Sequence, residues 1–135
     1  MNAEYYLDRI KKIDAMIKNK LRDYQRWVEQ ADGLGGASLG ERVQSSRNLH
    51  RGSYAIDAYI DIEREINALK QERQAIIRTI EKLPSVEYDV IYKLYVEDYT
   101  MKEVAYHAGK TYDWVKRRKR SALLMLQTFL DGDAV

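Results

Sequence analysis

The chain has 135 residues, 23 basic and 21 acidic side chains, a net charge of +2 and no cysteine. That length suits one domain, or one domain with an appendage. The charge balance excludes a general polycation, and the missing thiols exclude disulfides and thiolate metal sites. The start, MNAEYYLDRIKK, holds no signal-peptide hydrophobic region, and no apolar run reaches membrane-spanning length. A soluble cytoplasmic protein with no membrane partner is the default expectation.

From about residue 4 to 31 the pattern is helical. Leu7, Ile10, Ile13, Ile17, Leu21, Tyr24 and Val28 step by three or four and form one narrow stripe. Such a stripe suits a helical hairpin or coiled-coil seam better than a globular core. Residues 32–53, DGLGGASLGERVQSSRNLHRGS, hold five of the seven glycines and read as a loop. Within it, Glu41, Arg42, Arg47, His50 and Arg51 suit either a DNA backbone or a protein partner.

A second helix is expected from about 54 to 83. Tyr59, Ile62, Ile66, Leu69, Ile76, Ile80 and Leu83 keep a heptad seam, interrupted only by Arg73. The acid that answers Arg73 is expected on a facing helix, at Asp14 or Asp23. Two helices of similar length joined by a loop predict an antiparallel hairpin, although two chains pairing their seams would also satisfy the pattern. Residues 1–83 are therefore expected to be a hairpin arm that makes a homo-oligomer, a dimer or higher.

Pro84 disfavours helix in the residue before it and marks the boundary at Leu83–Ser85. Ser85 can cap a third helix whose inward face is Val86, Val90, Ile91, Leu94 and Tyr95. Thr100 and Glu103 have capping-box spacing, and Met101, Val104, Ala105 and Ala108 make a short helix. Gly109 suits its left-handed end, and Thr111 can cap a last helix that closes near Asp131–Gly132–Asp133. Residues 84–135 are thus expected to be a trihelical helix-turn-helix unit, and the fold class all-α.

The last helix carries Lys116, Arg117, Lys119 and Arg120. A basic run alone is usually a solvated face. Behind a capped turn it points instead to double-stranded DNA, where such cations neutralise phosphates or reach guanine edges. Thr111, Tyr112 and Asp113 stand at the end that enters the groove in this motif. Trp114 is expected to be a core anchor. Tyr88, Tyr92, Tyr95, Tyr99 and Tyr106 read as core and boundary residues rather than a base-stacking platform. No nucleophile elbow, phosphate-binding glycine loop or HExxH motif is present, so neither an enzyme nor a bound cofactor is expected. Asp57, Asp61, Glu63 and Glu65 look like solvated helix charges without metal-ligand geometry.

The window 100–120 resembles region 4 of sigma-70-type factors through Thr100, Glu103, Val104, Ala105, Gly109 and Thr111. Lys110 stands where that pattern usually has an apolar residue, and Arg118 where an aliphatic side chain usually turns inward. Either the register shifts there or Arg118 snorkels past the core. The order of parts is also similar to small phage regulators of the ArpU/RinA type, through YLDRIKKIDAMIKNK, GERVQSS and LPSVEYDVIYKLYV. That resemblance implies activation of phage late genes in a bacterial host, with RNA polymerase as a candidate partner. A small-terminase-like packaging protein and a polymerase-binding interaction module are the rival readings.

Overall fold

A computed structural model describes the backbone of residues 2–36 and 46–133, and side chains over 2–31 and 55–132. The chain is all-helical, with five helices and no strand among the described residues. They are α1 (Ala3–Gly36), α2 (Ser46–Ile80), α3 (Ser85–Ile91), α4 (Met101–Ala108) and α5 (Tyr112–Asp133). None is long and apolar enough to cross a membrane.

Both ends of the expected loop at 32–53 are helical. Helix α1 continues through 32–36 and α2 already runs from Ser46, so local glycine cost does not stop either helix there. Residues 37–45, including most of GERVQSS, lie outside the described residues, as do the side chains proposed to contact a partner from this segment.

Contacts group the chain into two compact units, 1–14 with 72–135, and 15–71. This division differs from the boundary expected at Leu83–Ser85. The reason lies in the apolar stripes. Leu7, Ile10 and Ile13 of α1 and Ile76 and Ile80 of α2 are buried in the first unit, together with Leu83, Val90, Ile91, Val104, Val115, Ala122 and Leu126. Burial of such side chains contributes roughly 1.5–3 kcal/mol each, so the helix ends are part of the core that holds α3, α4 and α5.

In the first unit the Asn2 carboxamide oxygen caps α1, accepting from the Glu4 N–H at 2.8 Å. The Ala3 N–H donates to Gln127 Oε1 of α5 at 2.8 Å, tying the first turn of the chain to its last helix. Arg73 finds its acid within the chain, with Nε 2.7 Å from Asp14 Oδ1. Arg9 makes a two-pronged pair with Glu72, both contacts at 3.0 Å.

Helix α3 departs from expectation in three ways. Pro84 occupies the cap position and Ser85 is already helical, so Ser85 is not the cap. Val86 is 44% exposed, whereas Glu87 is 6% exposed and takes the inward position. After Ile91 the chain widens into a π-helical turn, Tyr92–Val96. That turn closes with Asp98 at φ 62°, a left-handed conformation that aspartate tolerates better than most residues. The Asp98 carboxylate then accepts from Lys11 Nζ at 3.1 Å.

In the second unit α1 and α2 pair antiparallel. Lys20 Nζ lies 2.7 Å from Glu65 Oε2, and Tyr24 meets Tyr59 edge to face with ring centres 5.5 Å apart.

Candidate nucleic-acid interface

Three local devices fix α4, the turn and α5. The first is a complete capping box: Thr100 Oγ1 accepts from the Glu103 N–H, and Glu103 Oε1 accepts from the Thr100 N–H, both at 3.1 Å. The second is the helix end. Gly109 sits at φ 65°, ψ 33°, its N–H donates to Tyr106 O at 3.2 Å, and the Lys110 N–H donates to Ala105 O at 3.0 Å. These paired bonds are a Schellman motif, which consumes the carbonyls that α4 leaves open. The third is Thr111, whose Oγ1 accepts from the Trp114 N–H at 3.1 Å and starts α5. Only Gly109, Lys110 and Thr111 separate the two helices, and α5 packs on both α3 and α4.

Val115, Ala122 and Leu126 have no exposed surface and define the inward face of α5. Arg118 falls between Val115 and Ala122 on that side. It does not enter the core. Its Nη1 reaches Glu87 Oε1 on α3 at 3.2 Å, and its guanidinium carbon lies 5.6 Å from the centre of the Trp114 ring. Lys110 Nζ is 5.7 Å from the same ring. Both departures from the sigma-like pattern therefore rest on one aromatic, worth about 0.5–1 kcal/mol per cation at a partly wet site. Trp114 is half-buried rather than a fully buried anchor.

The outward stripe is Asp113, Lys116, Arg117 and Arg120, all exposed and spaced to share one face. Together they surround a shallow cleft of about 160 Å³. Asp113 and Arg117 approach to 3.8 Å, an exposed contact that leaves the guanidinium free to swing. Lys119 lies apart from this stripe. It is half-buried, with Nζ 6.0 Å from the centre of the Tyr95 ring. Thr111 is exposed but occupied as a cap, and Tyr112 is half-exposed beside it. The structure thus brings Tyr112, Asp113, Lys116, Arg117 and Arg120 to one end and face of α5, and separates Lys119 from them.

Periodicity did not reveal the Glu87–Arg118 pair. The available signal was a matched pair of irregularities: an acid on the inward face of one helix and a base on the inward face of another. Of the tyrosines, Tyr95 is buried, and burial, with Glu4 and Asp8 adding to it, pushes its phenol up to about 12. Tyr106 is strongly exposed on α4, and Tyr99 stacks on His107 with ring centres 5.2 Å apart.

Comparison with protein-family models, curated proteins and solved structures finds no match to this chain.

Proposed function

We propose that the protein binds double-stranded DNA through α5 and regulates transcription, acting as a binding protein rather than an enzyme. The observation that carries this reading is the exposed stripe Lys116, Arg117 and Arg120, presented by a helix that follows a capped helix and a three-residue turn. A helix of this kind fits the major groove, which admits one α-helix. In this reading Lys116 and Arg120 neutralise phosphates, and Arg117 exchanges its weak contact with Asp113 for a phosphate or a guanine edge. Tyr112 and Asp113 meet the groove first. The Glu87–Arg118 pair and the Lys110–Trp114 contact hold the angle of α5 and do not themselves read bases.

The resemblance to ArpU/RinA-type regulators supports a narrower role, activation of phage late genes in the cytoplasm of a bacterial host, with RNA polymerase as a further partner. A genome-wide map of DNA bound by the tagged protein tests it. Enrichment at a late promoter is the expected result. Enrichment at a packaging site would favour the small-terminase reading, and no enrichment would overturn DNA binding in favour of a polymerase-binding module.

A further inference from the structure

The described part of the second unit, 15–71, leaves apolar side chains exposed on one side. Among its described residues, Ala55, Ile66 and Leu69 are the only buried apolar side chains. Leu21 is 48% exposed, Ile56 42% and Ile60 39%. These three belong to one side of the hairpin. On α2, Ile56, Ile60, Glu63 and Asn67 follow at steps of four and three, and on α1, Lys18, Leu21 and Gln25 do the same. The antiparallel register that pairs Lys20 with Glu65 sets the two rows level. It also fixes which side they occupy. Lys18 and Glu63 are each two residues from that bridge, which at 3.6 residues per turn puts them on roughly the opposite side of their helices.

The charges specify the occupant. Between 15 and 31, α1 carries four basic and two acidic residues, and between 55 and 71, α2 carries four acidic and two basic. Lys20 and Glu65 already satisfy each other on one side. On the other side Lys18 and Glu63 are exposed and make no ion pair among the described residues. On this face the apolar side chains are flanked by one unpaired base on α1 and one unpaired acid on α2, an arrangement that is complementary to itself.

We infer that a second copy of the chain covers this face: two hairpins stack into a four-helix bundle with α1 of each copy on α2 of the other, joined by Leu21, Ile56 and Ile60 and bordered by Lys18 with Glu63 of the second copy. The alternative stacking, α1 on α1, brings together two segments that each carry a net positive charge and is disfavoured by it. In the crossed arrangement every contact occurs twice, as a two-fold interface requires. From Ile56 to Asn67 the face spans about 17 Å of helix, a small interface, so association is expected at micromolar concentrations or above. The inference does not rest on DNA binding. Its residues belong to 15–71 and the proposed DNA face to α5, so either reading can fail alone.

Light scattering and sedimentation of the full chain, from low to high micromolar concentration, test it. The wild type should pass from monomer to dimer. Ile60→Glu should remain monomeric, and Ile60→Ser, a milder change at the same exposed site, should weaken the dimer with helical content unchanged. Lys18→Glu should weaken it about tenfold or more, and Lys18→Glu with Glu63→Lys should restore it. A wild type that stays monomeric throughout overturns the inference and leaves this face to another partner or to residues 37–45. A dimer indifferent to Ile60→Ser and Lys18→Glu, or a double exchange no tighter than the single, overturns it equally.

Discussion

Removing Arg118 strips a charge partner from a carboxylate that has little access to water. Glu87 is 6% exposed, and its Oε1 accepts from Arg118 Nη1 at 3.2 Å. Breaking a fully buried pair from one side costs about 3–5 kcal/mol. The Arg118 side chain is itself 44% exposed, so water enters the space it vacates, and the loss for Arg118→Ala falls to about 1.5–3 kcal/mol. The reverse change is milder. Glu87→Gln leaves a guanidinium that can turn to solvent while keeping its place over Trp114, at a cost of about 1 kcal/mol or less. The double variant Glu87→Gln with Arg118→Ala should recover about 1 kcal/mol relative to Arg118→Ala, because no bare carboxylate remains. Urea unfolding followed by circular dichroism measures all four proteins, provided the slopes agree. Equal costs for the two single variants, or a double variant that costs their sum, would refute the account of this pair.

Three further outcomes follow from the packing. Gly109→Ala should cost about 1 kcal/mol in the same unfolding assay, because its φ of 65° strains any Cβ even though no atom lies near enough to clash. A fragment of residues 84–135 should melt without cooperativity, whereas a single chain carrying 1–14 and 72–135 through a linker should melt cooperatively, since Leu7, Ile10, Ile13, Ile76 and Ile80 belong to that core. Tyr95 titrates near 12 in the folded protein against 10.0 in the unfolded chain, so the unfolded state releases this proton first. Its contribution is complete below pH 10 and is lost as the pH rises through 10 towards 12; urea midpoints across that range should fall, and Tyr95→Phe should flatten the fall.

Much of the local architecture was legible because it is written in short spacings. The Thr100–Glu103 box, Gly109 at a left-handed position and the Thr111 cap each depend on residues a few positions apart, and each forms as the sequence implies. The hairpin stripe followed from helical periodicity, and of the two acids offered to Arg73, Asp14 of the same chain is the one that meets it. What escaped depends on tertiary context. Glycines at 33, 35 and 36 each cost a helix about 1 kcal/mol by propensity, yet α1 continues through them. Glu87 displaces Val86 from the inward face because Arg118, 31 residues later, is there to meet it. The boundary at Pro84 is a true helix break, but it does not divide the core, since the ends of α1 and α2 pack in the same unit as α3, α4 and α5. Among the basic residues, spacing alone grouped Lys119 with its neighbours, whereas the Tyr95 ring draws it to another side.

The proposed DNA face is tested most directly by fluorescence anisotropy titrations of a duplex over a series of salt concentrations. The wild type should bind with a steep salt dependence. Lys116→Ala, Arg117→Ala and Arg120→Ala should each weaken binding and lower the log–log slope by about one unit, whereas Lys119→Ala should change the slope little. A folded wild type that binds no duplex at low salt, or substitutions at 116, 117 and 120 that leave affinity and slope unchanged, would contradict the assignment of α5 as the DNA-binding helix.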